Sequence, residues 1–235
     1  RGLGDVYKRQ VGHLVHVNLR EEYLAYRYLI GQVILDKTPR ARTVVNKLDT
    51  IDSEFRVFAM ELLAGEPEYH AEVSESGCLF QLDFRSVYWN SRLHTEHARL
   101  IDQFQPFQVV ADVMAGIGPF AVPAGKKRCY VLANDLNPSC YESLKGNTER
   151  NHVATRVAPY CMDGRAFIQE AVQRCWDAAY PGAVPGSELQ SAWQRRKAVR
   201  QRAAGDREPP APPARRSRRL VDHFVMNLPA SALEF

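Results

Sequence analysis

The chain contains no run of the ~18 to 20 apolar residues that a membrane-crossing helix requires, although hydrophobic residues fill 45% of its 235 positions. Its opening residues lack a charged start, an apolar middle and a small-residue cleavage site, so no secretory signal is read there. No CxxC spacing occurs either: Cys78, Cys129, Cys140, Cys161 and Cys175 are scattered and odd in number. That argues against a disulfide framework and a zinc site, and predicts reduced, structural thiols and no bound metal. Neither sign of charge dominates, with 31 Lys and Arg against 27 Asp and Glu. These absences predict a soluble, intracellular globular protein without a membrane partner, large enough for one large domain or two modest ones.

The net charge of +4 is local in origin. Ten Lys/Arg and two Asp/Glu lie between Arg195 and Arg219, a balance of +8 that leaves about −4 for the remainder. The stretch 181–219 also carries Pro209, Pro210, Pro212 and Pro213 and few large apolar residues. It is expected to be a disordered basic insertion, because it cannot bury enough apolar surface to offset its ordering entropy. Such a run either touches RNA phosphates or is a solvated loop. Residues 1–10, RGLGDVYKRQ, show no periodicity and receive no structural role, and the chain stops at SALEF. Both ends read as truncated, and on that reading the chain alone is expected to be unstable or inactive.

Two textures divide what remains. HLVHVNL alternates as a half-buried strand does, and EEYLAYRYLIGQVILD has helical spacing with Glu21 and Glu22 suited to a first turn. TVVNKLDTI, FRVFAMELLAGE, YHAEVSESG and CLFQLDF read as short strands, with turns at Gly65-Glu66-Pro67 and Ser76-Gly77. SRLHTEHARLIDQF reads as a helix capped by Ser91. The prediction is a small α+β domain over 11–104. From 105 to 235 the strands VVADVMAGIGPF, CYVLANDLNP, VAPYCMDGRAF and LVDHFVMNLP alternate with helical segments. That rhythm predicts a parallel, doubly wound α/β sheet whose polar residues collect at strand carboxyl ends, where open sheets bind ligands.

The segment DVMAGIGPF places Gly116 and Gly118 after a strand, so the backbone passes close to a ligand that a side chain would exclude. The third glycine of the dinucleotide fingerprint is absent, and Pro119 stands where pyrophosphate-binding amides would begin. This disfavours a nicotinamide dehydrogenase and favours a ligand with an amino-acid tail instead of a phosphate. Asp135 follows Gly116 by nineteen residues and ends the second strand, where an acid accepts from ribose hydroxyls. Asp163 ends the third, where a carboxylate meets an adenine amino group, and Asp112 lies within reach of an ammonium. Each acid alone reads equally as a cap or turn residue. Three at successive strand ends favour an S-adenosylmethionine site.

In order and spacing, VYWNSRLHTEHARL, DVMAGIGPF, NDLNP and VMNLPA resemble the archaeal and eukaryotic tRNA guanine-37 N1-methyltransferases, most closely the eukaryotic, fungal-like form. NLREEYLAYRYLIGQVILDK and FRVFAMELLAGE resemble that family's middle domain. The resemblance implies a Rossmann-like class I methyltransferase domain, S-adenosylmethionine as cofactor, and a tRNA partner read at its anticodon loop by a monomer. It implies work in the cytoplasm, with mitochondrial matrix and nucleus as further compartments. Cofactor-binding positions carried over are Asp112, Met114, Gly116, Gly118, Asp135, Leu136, Asn137, Asp163, Gly164 and Asn227.

Methylating guanine N1 requires removal of its proton while negative charge builds on O6. The resemblance assigns Glu96 as the general base and Arg56 as the cation beside O6. Substrate binding falls to Arg92, Asn227, Leu228 and Pro229. From spacing alone, Arg92 and Glu96 are an ordinary i,i+4 ion pair, Arg56 a surface residue, and Asn227-Leu228-Pro229 a strand-ending turn. Tyr88 and Trp89 either stack on RNA or belong to the core. The alternatives in function are an aminocarboxypropyl transferase on the same scaffold and a catalytically inactive RNA-binding fragment.

Overall fold

A computed structural model describes residues 9–51, 55, 57–176 and 220–228. The expected insertion, Arg56 and Pro229 therefore lie outside the described residues. Arg9 and Gln10, given no role from sequence, belong to strand β1 (Arg9–Val11), which pairs antiparallel with β2 (Leu14–Val17). A 3-10 turn (Glu21–Tyr26) leads into α1 (Arg27–Lys37), the crossover that lets β2 pair parallel with β3 (Thr43–Ile51). Strand β4 (Phe58–Gly65) completes this first sheet antiparallel to β3. The alternation in HLVHVNL predicted a half-buried strand, but β2 is buried at every position. His16 is the reason: its ring lies 5.1 Å from that of Phe84, and burial, with Lys47 and Arg9 nearby, lowers its pKa to about 3.

A two-stranded hairpin follows, β5 (His70–Glu75) and β6 (Cys78–Asp83), turning at Ser76 and Gly77 with φ of 50° and 69°. Left-handed dihedrals at both turn residues match the twist of the strands. The helix expected to start at Ser91 begins later. Asn90 accepts from the backbone N–H of Arg92 at 3.1 Å, Ser91–Leu93 tighten into a 3-10 turn, and α2 runs His94–Gln103.

The second sheet is parallel, in the order β10-β7-β8-β9, from β7 (Val109–Asp112), β8 (Tyr130–Asn134), β9 (Val157–Tyr160) and β10 (His223–Val225). Helices α3 (Ala121–Lys126), α4 (Pro138–Arg150) and α5 (Gly164–Trp176) connect these strands. One face packs Val109, Ala111 and Leu132 against Phe167 and Ala171 of α5. On the other, Val110 and Val131 join Leu144 of α4, Phe80 and Leu82 of the hairpin, Ile101 of α2 and Leu14 of β2 in one continuous core. Central parallel strands covered on both faces read as unbroken apolar runs, as Val109–Ala111 and Val131–Ala133 do. The five cysteines are free, and only Cys161 is exposed. Among the described residues no helix is long and apolar enough to cross a membrane.

Strand β6 has an edge, and two asparagines of the α4 segment cover it. Asn147 accepts from Gln81 N at 2.8 Å and donates to Gln81 O at 3.2 Å, while Asn151 accepts from Leu79 N at 3.0 Å and donates to Leu79 O at 2.6 Å. Side-chain amides here continue the ladder that a further strand would make. Asn147 also donates to Ile117 O at 3.1 Å, so it ties the hairpin to the glycine turn. Replacing it leaves three backbone groups of a partly buried seam unpaired, Gln81 N–H, Gln81 C=O and Ile117 C=O, at about 1 kcal/mol each, the low end of that cost because the seam is part-exposed. Asn147→Ala is expected to lower the melting temperature by roughly 6 to 12 °C, against under ~2 °C for the exposed Glu149→Ala. Melting followed by circular dichroism checks this, and equal melts for the two variants would remove the seam's importance.

Candidate active site at the carboxyl edge of the parallel sheet

The chain leaves β7 at Asp112 and turns through Gly116 and Gly118, whose φ values are +55° and +99°. A Cβ at Gly118 would lie 2.7 Å from Leu144 Cδ1 and 2.9 Å from Val122 Cγ2, so this glycine serves packing against α4. A Cβ at Gly116 would meet nothing within 4 Å. Gly116 therefore leaves its backbone open-faced, the cradle that a close ligand needs. Its N–H is already engaged, donating to Asp135 Oδ2 at 2.7 Å.

Asp135 holds the next loop as well, since its Oδ1 accepts from Asn137 N at 2.9 Å. Burial raises its pKa, and the two backbone hydrogen bonds oppose that rise. Asn137 caps α4 by accepting from Ser139 N at 2.9 Å and donates to Ser86 O at 2.8 Å, joining the edge to the segment after the hairpin. Leu136 is 41% exposed beside them. Met114 is half-buried against the α5-side core. Asp163 is exposed and caps α5, its Oδ1 accepting from Arg165 N at 2.9 Å and Ala166 N at 3.2 Å, with Gly164 buried behind it. Asn227 is exposed and Leu228 half-buried, just past β10.

The residue that unites these loops was passed over in sequence. Asn134, 1% exposed, donates to Val113 O at 3.1 Å and Met162 O at 2.9 Å and accepts from Met162 N at 3.0 Å. Its backbone carbonyl accepts from Ala115 N at 2.6 Å. The available signal was an amide at the last buried position of a central strand, where an unsatisfied polar group is too costly to persist. Asp112 is the opposite case. It is fully buried, and neither carboxylate oxygen has a partner. Burial, and then the nearby Asp135, pushes its pKa well above the ordinary carboxylate range. An unpartnered buried acid beside an open-faced glycine turn fits a ligand that brings its own cation. Its complete burial means that contact requires the turn to shift.

Helix α2 reaches this edge through His97, whose ring packs edge-on against Phe120 of the glycine turn at 4.7 Å. Glu96, its neighbour, faces outward and is gripped by Arg99, with Nε to Oε2 at 2.7 Å and Nη2 to Oε1 at 2.6 Å. Those hydrogen bonds lower the Glu96 pKa. The expected i,i+4 partner Arg92 lies instead in the 3-10 turn before the helix, where the register differs. Trp89 is core, its ring 6.0 Å from that of Phe80, while Tyr88 is 38% exposed.

The family model described as the TRM5/TYW2 methyltransferase domain matches residues 71–176, and that of the TYW2 N-terminal domain matches residues 5–68. A tRNA (guanine(37)-N(1))-methyltransferase of Coprinopsis cinerea is 56% identical over 230 residues, covering 96% of this chain and 50% of that protein. The chain thus spans about half the length of the curated relatives it matches. A solved complex of aTrm5 and tRNALeu matches with a TM-score of 0.63 at 28% identity, over 71% of this chain and 55% of that one. Methanocaldococcus jannaschii Trm5 in complex with adenosine matches with a TM-score of 0.60 at 29% identity, over 68% of this chain and 48% of that one.

The buried acid has a measurable signature. Because the folded-state pKa of Asp112 lies above its unfolded value of about 3.9, its contribution is complete below that pH and is lost as pH rises toward the folded pKa. Asp112→Asn does not titrate. Its stability relative to the parent is expected to improve with pH from about 4 upward, by at most ~1.4 kcal/mol per unit. Urea unfolding between pH 4 and 8 reads this directly, and a difference that stays flat with pH would show that Asp112 is charged and compensated.

Proposed function

The chain belongs to the TRM5/TYW2 methyltransferase family, and from that premise we propose that it carries the active site of a tRNA (guanine-37-N1)-methyltransferase, using S-adenosylmethionine. One observation carries the reading: the glycine turn, Asp135, Asp163 and Asn227 converge at neighbouring carboxyl ends of one parallel sheet, with the Glu96 helix packed on that turn. The likeness to relatives bearing that name supports the acceptor. We divide the chain into an α+β part, 11–104, and a methyltransferase part, 105–235, each with its own larger sheet, joined by one core. A monomer acting on tRNA in the cytosol, with mitochondrial matrix and nucleus as further compartments, completes the reading.

The cofactor would be held by Asp112, Met114, Gly116, Gly118, Asp135, Leu136, Asn137, Asp163, Gly164 and Asn227. When bound, it supplies an electrophilic methyl group on a sulfonium. The residues of the chain do the remaining work. Asp135, already fixed by Gly116 and Asn137, offers its remaining lone pairs to ribose hydroxyls. Exposed Asn227, with Leu228 and Pro229, receives the guanine, and Arg92 steadies the RNA around it. Glu96 takes the N1 proton while Arg56 offsets charge on O6. Arg99 keeps Glu96 ionised in the resting state but also makes it a weaker base. Productive binding must therefore loosen that ion pair.

The second reading draws on the match to the TYW2 N-terminal domain, so the assay must identify its product. The full-length protein is incubated with S-adenosylmethionine and a tRNA transcript bearing G37, and digested nucleosides are identified by mass spectrometry. We expect 1-methylguanosine, formed ~10² to 10⁴ times more slowly by Glu96→Gln. An aminocarboxypropyl nucleoside would keep the scaffold and overturn the reaction. Cofactor binding without product would overturn the substrate. Arg99→Gln removes the largest cause of the lowered Glu96 pKa, so the acid limb of its pH–rate profile is expected at higher pH than the parent's. An unmoved limb would mean that Glu96 is not the group titrating.

A further inference from the structure

His97 is next to Glu96 in sequence, about 100° further round α2, and faces the core instead of the surface. It is 3% exposed, while the Glu96 side chain is 48% exposed. Its Nδ1 lies 2.5 Å from Oε1 of Glu75, the acid that ends β5 and whose side chain is only 9% exposed. A carboxylate oxygen only accepts, so Nδ1 carries the proton. The ring edge meets Phe120, the residue that closes the glycine turn and precedes α3. Nε2 is buried and has no partner. If this position served packing alone, a phenyl ring would fill it and leave no orphaned nitrogen. The imidazole is kept despite that nitrogen, which makes the Nδ1 bond to Glu75 the feature that distinguishes it.

We propose that His97 is a positioning residue for Glu96, pinning α2 between the hairpin through Glu75 and the glycine turn through Phe120. The inference rests on Glu96 being the base. Leu100, Ile101 and Phe104 also attach this part of the chain to the core, but by apolar contact, which resists separation more than sliding. A directional bond from the ring nitrogen itself fixes rotation about the helix axis. Rotation matters because Glu96 extends from an adjacent, exposed face of the same turn, and a displacement near 1 Å at a reacting group costs ~10²-fold in rate.

The test uses full-length protein with S-adenosylmethionine and G37 tRNA, measuring single-turnover rate, KM for each substrate, cofactor Kd and melting temperature. His97→Phe keeps the ring and deletes the donor, and Glu75→Leu deletes the acceptor. Both are expected to slow the chemical step at least ~10-fold with KM and Kd changed less than ~3-fold, whereas His97→Asn, whose amide replaces the Nδ1 donor, is expected within ~3-fold of the parent. Leu100→Ala supplies a destabilised α2 with the pair intact, and its rate is expected to stay near the parent's. The proposal is overturned if His97→Phe matches the parent, or if Leu100→Ala slows the reaction equally at equal loss of melting temperature. It is overturned also if His97→Asn is no better than His97→Phe. A parent that forms no 1-methylguanosine overturns the proposed function and this inference with it, whereas the outcomes above, read on an active parent, overturn the inference alone.

Discussion

The carboxyl edge of the parallel sheet depends on one amide. Asn134 bonds the loop after β7 through Val113 and the loop after β9 through Met162, in both directions in the second case. Ordinary ladder bonds end with the strands, and past that point each loop is free to diverge. A buried side chain with two donors and an acceptor extends the cross-linking one layer further, into the loops themselves. Asp135 then repeats the device one residue later, toward Gly116 on one side and Asn137 on the other. The two adjacent polar residues thus act on different levels: Asn134 sets loop spacing beneath the site, and Asp135 shapes its floor.

A second frame holds the helix above that floor. The β5–β6 hairpin belongs to neither larger sheet, yet its β6 edge is satisfied by Asn147 and Asn151 at the end of the α4 segment. Its other strand supplies Glu75, beside the turn, to His97. The hairpin is therefore a strut between α4 and α2, two helices that meet the later part of the glycine turn two residues apart, through Leu144 with Gly118 and His97 with Phe120. This explains why the core is continuous across the two halves, although their sheets are separate. On the proposed function, the catalytic surface draws on both halves, Glu96 from the first and the strand-end loops from the second.

The elements legible in sequence were those governed by local pattern. Strands β3 and β7 to β10 follow from apolar runs and turn residues, and the parallel order follows from strand-helix alternation. Reading failed where a distant partner decided the outcome. His16 looked like the polar half of an alternating strand, yet Phe84, 68 positions away, covers it. Ser91 and Asn90 are equivalent caps by type, but Asn90 holds the Arg92 amide and a 3-10 turn precedes the helix, which starts at His94. The three acids were found because strand ends are visible in sequence. Their separate states were not, since burial of Asp112, bridging by Asp135 and capping by Asp163 depend on neighbours brought in by the fold. Asn134 and His97 were missed for the same reason: an isolated Asn or His carries no pattern until its partners are known.

The resting electrostatics point in one direction. Asp112 has lost water without gaining a partner, and Glu96 has gained a partner in Arg99 that opposes its use as a base. Each is poorly matched to its surroundings in a way that a specific charge would correct. A cation reaching Asp112 repays its desolvation, and an anion or dipole drawing Arg99 away returns basicity to Glu96. Neither correction is available from the chain's described residues, because the first acid is sealed and the second is already paired. The two substrates of the proposed reaction bring these charges, a cationic cofactor and a polyanionic RNA. On that proposal, binding energy from groups remote from the methyl transfer goes into ionising one acid and freeing the other, and the chemical step is tied to occupancy of both sites.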